Sequence, residues 1–384
     1  MSNLRQMLDA QVARPAGQCV RVWDLPTRLF HWGLVAAVAV AAFTGFIGGI
    51  TTDDVHVVAG TAIAVLIAFR LVWGMTGTTY ARFRSFAFPP RIVWAHARDL
   101  LDARGHRHLG HNPLGGTMVF ALLAVLAAIV ATGTMALGGV LKQGPLAAFV
   151  GFDAGWSARG VHNLLAGLLL AMIGAHLAGV VFESWRGRER LVAAMVTGLK
   201  PADPPTEAVA PTKARPVRAA AIGLALGGLS LIAATVLMAQ TVPGVPPAQL
   251  DRDYLRACGE CHFAYPPVLA PAATWRGIMA GLRNHFGEDA SLDAGTAARI
   301  GAWLEANSAE HWDTLPAHRL RVTDPADPLR ITATPFWRRM HGYLRPEVFT
   351  AKQVGGKGQC SACHHDAARG MFAPQNIELP EELQ

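Results

Sequence analysis

Apolar residues fall in long blocks along this chain rather than at the short periods of a soluble fold. Five stretches, roughly 29–50, 55–76, 113–138, 158–182 and 217–240, approach or exceed the length of about 20 residues that lets a helix cross a bilayer. No Asp, Glu, Lys or Arg occurs from Leu29 to Thr52 or from Leu114 to Val140. Beyond residue 240 the pattern changes. Runs such as 274–286 and 296–307 are amphipathic with a helical period, and strand-like alternation is scarce. The expected fold class is therefore all-α: a transmembrane four-helix haem-sized bundle over 29–199, a fifth anchoring transmembrane helix over 217–240, and a mostly helical extracytoplasmic domain over 241–384. Residues 200–216, rich in Pro and Ala without periodicity, read as a linker between the fourth and fifth spans, and 1–28 as a short N-terminal segment.

Composition and charge agree with a membrane protein and orient it. Hydrophobic residues make up 52% of the 384 and charged residues only 16%, against about 25% in soluble domains. The formal net charge is +7, with the bases gathered between spans. Segment 77–112 holds six Arg against Asp99 and Asp102, and segment 183–216 holds six Lys or Arg. The turn at 50–55 has two acids and no base, and segment 139–157 has Lys142 as its only base. The positive-inside rule then puts the N-terminus, 77–112 and 183–216 in the cytoplasm and the C-terminal domain in the periplasm of a bacterial inner membrane. This distribution suits a lipid bilayer and gives no reason to expect nucleic acid as a partner. Residues 1–28 carry four Arg and no early apolar core, so no cleavable signal peptide is expected.

Four of the five cysteines form two copies of one motif, Cys258-Gly-Glu-Cys261-His262 and Cys360-Ser-Ala-Cys363-His364. The two thiols of such a pentapeptide bond to the vinyl groups of a haem, and the adjacent His falls beneath the iron. A redox dithiol would want a βαβ setting, and a four-thiolate zinc site would leave both histidines unexplained. Two haem c groups follow. Candidates for the sixth ligand are His285, His311, His318, His341, His365, Met279, Met340 and Met371. His285 and His341 are favoured, each lying 23 residues from a motif histidine, His285 on the helical run that ends at Phe286. Cys19 reads as an inert thiol.

Ionisable residues inside a span are costly and mark function. His31 begins the first span, His56 the second, and His162 and His176 lie 14 residues apart on the fourth. Fourteen residues return to within about 40° of the same helix face after a rise of about 21 Å. That suits two haem b groups stacked across one bundle, His56 with His162 near the outer surface and His31 with His176 near the cytoplasmic one. Gly45, Gly60, Gly167 and Gly174 would leave room for flat macrocycles. Arg70, 14 residues after His56, suits either a propionate partner or an interfacial cation. His96, His106, His108 and His111 read as solvated loop residues.

The run Arg21 to Trp32 (RVWDLPTRLFHW) resembles the opening of the bacterial cytochrome b561 and nickel–iron hydrogenase cytochrome b subunit superfamily, and the His162–His176 interval is similar to its fourth helix. Residues 250–384, through Cys258–Pro267 and Asn284–Leu292, resemble the dihaem cytochrome c family. The first resemblance implies exchange of electrons with a quinone or quinol, and the second implies bis-histidine c haems, in accord with His285 and His341. Together they suggest a transmembrane conduit between the quinone pool and a soluble periplasmic cytochrome or other redox protein, a quinol:cytochrome oxidoreductase in function. The rival expectations are a membrane-anchoring cytochrome subunit of a larger periplasmic oxidoreductase such as a hydrogenase, and a haem-based gas sensor with an open iron site.

Overall fold

The computed structural model describes residues 19–48, 52–101, 108–201 and 213–380; most of the N-terminal segment, most of the 200–216 linker, and His106 lie outside the described residues. Among the described residues five helices are long and apolar enough to cross a membrane: α1 (Leu25–Phe46), α2 (Asp53–Thr76), α4 (Pro113–Val140), α5 (Phe152–Gly187) and α7 (Pro216–Met238). All five expected spans are present. The shorter α3 (Pro90–Leu101) follows α2 with its apolar residues on one side, as expected of a helix lying along an interface. Helix α5 is 36 residues long, about 54 Å at 1.5 Å per residue, and so outreaches a hydrocarbon layer of about 30 Å.

The chain divides into two compact units. In the first, α1, α2, α4 and α5 meet around Ile63, Ile67, Leu126 and Leu169, with Leu34, Val38 and Ile173 packed against them. The opposite faces stay apolar and exposed (Val58, Leu164, Val181), and α7 buries no residue at all, as expected of surfaces that meet lipid. The one departure from helix in the framework is a short antiparallel pair, β1 (Cys19–Arg21) with β2 (Leu199–Pro201). It closes the start of the bundle onto the end of α6 (Leu191–Thr197), where Gly198 takes a left-handed conformation and a side chain would meet the Trp23 carbonyl at 2.4 Å. Within the sequence-expected linker, Lys200 and Pro201 thus belong to a strand, and Arg215 N–H donates to the Thr76 carbonyl at 2.9 Å.

A single buried carboxylate fixes the entry to α1. Asp24 caps the helix by accepting from Thr27 N–H at 2.9 Å, and it also accepts from Trp73 Nε1 at 3.0 Å and Thr78 Oγ1 at 2.8 Å. The first helix is thereby tied to the far end of the second.

The second unit contains the end of α4, the start of α5 and the C-terminal domain. Helices α4 and α5 cross so closely that a Cβ on Gly139 would sit 2.6 Å from Gly155 Cα. The C-terminal domain is built from short helices α8 (Arg252–Cys258), α9 (Ala272–Ala280), α10 (Ala294–Ala306), α11 (Leu315–Leu320), α12 (Pro335–His341) and α13 (Pro346–Thr350). One cluster centres on Tyr254, Trp275, Ile300 and Leu304, a second on Val268, Leu269, Ala317 and Leu320. These cores are small for about 140 residues, and a domain of this kind depends on something besides apolar burial to hold its loops.

Replacing Asp24 by Ala removes the cap and leaves Trp73 Nε1 without its acceptor. The expected loss is about 2–4 kcal/mol, read as a lower thermal midpoint of the purified protein in detergent. Asp24→Asn, which keeps one acceptor oxygen, falls between the two.

Candidate haem-binding sites

The histidines singled out in the sequence come together in pairs. His56, four residues into α2, faces His162 on α5 with ring centroids 6.0 Å apart. Each holds its ring through the backbone of a neighbouring helix: His56 Nδ1 lies 3.0 Å from the Ala41 carbonyl on α1, and His162 Nδ1 lies 3.0 Å from the Ile129 carbonyl on α4. A carbonyl only accepts, so the proton sits on Nδ1 and Nε2 keeps its lone pair. Metal-binding histidines are commonly oriented in this way. Glycines make the approach possible. A Cβ on Gly45 would come 3.1 Å from His56 Cε1, and one on Gly133 would come 3.1 Å from His162 Cε1. Gly45 therefore seats a histidine ring, while a Cβ on Gly60, Gly167 or Gly174 would meet nothing within 4 Å.

His31 and His176 are near enough to couple electrostatically, but their rings make no direct contact of this kind. His31 stands edge-on to Trp32 at 5.1 Å, with its buried Nδ1 unpartnered. Arg70 is not an interfacial cation. It is 3% exposed, donates to the Ala81 carbonyl at 2.9 Å, and lies under the rings of Phe83 at 4.7 Å and Phe86 at 5.8 Å. The expectation of solvated loop histidines also fails for two of the four. His96 is 7% exposed, and His111 packs between Trp23 at 4.7 Å and Phe86 at 4.4 Å. The bases of segment 77–112 gave no sign of the aromatic cover that His111 receives from Trp23 and Phe86.

In the C-terminal domain, Cys258 ends α8 and the chain turns so that His262 faces His285, again with centroids 6.0 Å apart and the rings 22° from parallel. His262 Nδ1 lies 2.7 Å from the Phe263 carbonyl, leaving Nε2 free. His285 is not on a helix as expected. Helix α9 stops at Ala280, and a tight turn follows in which His285 N–H donates to the Glu288 carbonyl at 2.7 Å. Phe286 takes φ 56° in that turn, a left-handed conformation costing about 1 kcal/mol for a residue with a Cβ.

The second motif is built differently and gives the same spacing. His341 closes α12, with its Nδ1 3.0 Å from the Trp337 carbonyl one turn back and its ring stacked on Trp337 at 4.5 Å. It faces His364 at a centroid distance of 6.0 Å. The chain end clasps His364: His365 N–H donates to the Asn376 carbonyl at 2.8 Å and Glu378 N–H to the Cys363 carbonyl at 2.9 Å. Between the two motifs, Tyr265 Oη donates to the Gly358 carbonyl at 2.9 Å, joining the sequence just after His262 to the sequence just before Cys360.

Of the other candidates for a sixth ligand, two histidines have carboxylate partners, and Met340, like His311, is exposed. His318 has its Nε2 2.9 Å from Asp313, His365 has its Nε2 3.2 Å from Glu378, His311 is exposed, and Met279 packs in the Tyr254 cluster. Electrostatics favours neutral ligands at the remaining sites. Burial, with His341 beside it, pushes His364 down to about 4, and burial holds His341 and His285 below the usual imidazole range. Burial also raises the thiols, Cys360 to about 11 and Cys258 and Cys363 above their ordinary values. A redox dithiol needs a lowered thiol pKa, so that reading loses ground. Facing imidazole pairs, two of them with a pair of thiols beside one member, are the donor set a haem requires.

Family comparisons give the same division. The model of the prokaryotic cytochrome b561 family matches residues 22–198, and that of the dihaem cytochrome c family matches residues 254–372. The first region is 24% identical to a probable Ni/Fe-hydrogenase B-type cytochrome subunit of Cupriavidus necator, over 47% of this chain and 86% of that protein. It is 26% identical to the corresponding subunit of Azotobacter vinelandii, over 47% and 87%. The second region is 40% identical to a dihaem cytochrome c of Rhodobacter sphaeroides, over 31% of this chain and 94% of that one, with a TM-score of 0.28. It is 34% identical to a dihaem cytochrome c of Shewanella baltica, over 35% and 95%, also with a TM-score of 0.28. Residues 22–198 are therefore a prokaryotic cytochrome b561 domain and residues 254–372 a dihaem cytochrome c domain, in one multi-pass membrane protein that carries electrons on b- and c-type haem.

Proposed function

We propose that this protein carries electrons from quinol in the membrane, through two b-type and two c-type haems, to a soluble redox protein in the periplasm. The observation that carries the reading is the recurrence of one spacing: three histidine pairs, on unrelated local structures, with centroids 6.0 Å apart. Two metal–nitrogen bonds of about 2 Å each, with the two ring radii, make up such a distance.

In this reading His56 and His162 hold the outer b haem and His31 and His176 the inner one. Cys258 and Cys261 anchor a c haem between His262 and His285, and Cys360 and Cys363 anchor another between His364 and His341. Haem so bound supplies one-electron chemistry with no open position for substrate. Arg70 has further N–H donors beyond the one given to Ala81, and these suit a propionate of the inner haem. Quinol oxidation releases two electrons and two protons; the electrons cross singly, and the protons leave at the membrane surface. The charge asymmetry of the loops supports a cytoplasmic N-terminus and a periplasmic c domain.

The names of the relatives favour a second reading, in which the chain anchors a separate hydrogenase-like enzyme and receives its electrons. Co-purification from native membranes separates the two. A stoichiometric iron–sulfur or nickel partner supports the second, and haem reduction by decylubiquinol in the isolated chain supports the first.

A pyridine haemochrome assay of the purified chain is expected to give equal b and c content; a b:c ratio near 1:2 removes one membrane pair. His31→Ala and His176→Ala are expected to lose the same b haem, with both c haems retained, as followed by redox titration of the b band. Two different b components lost would break the pairing. His285→Ala and His341→Ala are each expected to leave one c haem five-coordinate and able to bind carbon monoxide after reduction. Variants that stay fully low-spin would remove these residues as ligands.

A further inference from the structure

In the second unit one carboxylate gathers three separate segments of chain. Asp313, between the helices of the C-terminal domain, accepts from Lys142 Nζ at 2.6 Å and from Phe152 N–H at 2.9 Å, and its other oxygen lies 2.9 Å from His318 Nε2. Its own N–H donates to the Gly244 carbonyl at 2.7 Å, just beyond the anchoring helix α7. Gly244 has φ 72°, and a Cβ there would come 2.5 Å from Asp313 Cβ, so the chain leaving α7 is pressed against this residue. Rings extend the contact. His318 stacks on Phe152 at 4.1 Å and 17°, and the Arg319 guanidinium lies 3.7 Å over Trp156.

This is more than a domain needs simply to stick. The Lys142 side chain is 2% exposed, and taking an ammonium out of water is costly unless it is well bonded. Burial alone would raise Asp313, yet the bonds from Lys142, His318 and Phe152 outweigh it and hold the carboxyl below the ordinary range. Lys142 also adopts φ 55°, a left-handed conformation that persists where surroundings enforce it. An apolar contact would tolerate sliding and rotation, whereas directed bonds to one carboxylate do not. The gripped element is also significant. Phe152 and Trp156 lie on α5 ten and six residues before His162, a rise of about 15 and 9 Å along the same helix.

We infer that Asp313 is a positioning residue: with Lys142, His318 and Arg319 it fixes the dihaem c domain on the membrane helix that carries His162, and so sets the path by which electrons pass between the two domains. The inference rests on the proposed reading only in supposing that electrons cross between them.

The test uses the full haem-loaded chain, with Asp313→Asn, Lys142→Met, Arg319→Leu and the conservative Lys142→Arg. The first readout is hydrogen–deuterium exchange of peptides covering 141–152 and 241–250. Exchange is expected to quicken about tenfold or more in the first two variants, less in Arg319→Leu and little in Lys142→Arg, at unchanged haem content and c-band spectra. The second readout mixes dithionite-reduced protein with oxidised azurin, each copper taking one electron and passing from Cu(II) to Cu(I). In the wild type the c band is expected to oxidise first and the b band to follow. In Asp313→Asn and Lys142→Met the c band keeps its rate and the b band lags about tenfold or more, since small displacements of a donor and acceptor are costly in rate. Wild-type b kinetics in those variants would overturn the inference. A wild-type b band that never follows the c band would instead refute transfer between the domains, and unchanged exchange in the variants would then refute the positioning role as well.

Discussion

A flat macrocycle with an iron at its centre imposes a severe geometric demand: two imidazoles on opposite faces, lone pairs converging, at one separation. Much of this structure serves that demand. Helices α1 and α4 supply carbonyls that fix the Nδ1 protons of His56 and His162, and they supply Gly45 and Gly133 so that those rings can lie against the backbone. In the proposed reading the C-terminal domain meets the same demand with a strained turn at His285 and a helix end at His341. Three solutions with unlike local structure and one spacing point to the ligated group as the shared cause.

The same demand explains what otherwise holds the protein. The C-terminal domain has two small apolar clusters and many short helices, and in the proposed reading each c haem, bound to a motif and to a distant histidine, bridges segments its own core does not. In the membrane unit, Asp24 sets where α1 begins, and with it the depth of His31, seven residues on, relative to α2. Helix α5 is the common spine. It bears Phe152 and Trp156 against the C-terminal domain and then His162 and His176 within the bundle.

Much of this was legible in the sequence because bilayers and c-type haem leave coarse marks. Long apolar runs marked all five spans, within six residues of their ends, and the repeated CxxCH motif with its following histidine marked the candidate attachment sites. The 23-residue intervals singled out His285 and His341 without assigning either to a motif, and in the structure His285 faces His262 and His341 faces His364. What escaped depends on contacts between distant segments. Asp24 and Asp313 look like ordinary acids until their donors arrive from 49 and 171 residues away. Gly133 is one glycine among many until the register of α4 against α5 is known, and His111 sits in a basic segment whose aromatic cover comes from Trp23 and Phe86. The turn at His285 was hidden because an amphipathic period continues past the point where Gly281 and Gly287 let the chain break.

The central claim is that every iron in this protein lies between two histidines. Near-infrared magnetic circular dichroism of the oxidised full-length chain reads the axial pair of all low-spin haems in one spectrum. The account predicts bis-histidine bands alone, with intensity matching the total haem content. A histidine–methionine band, or a high-spin fraction amounting to one haem per chain, would contradict it.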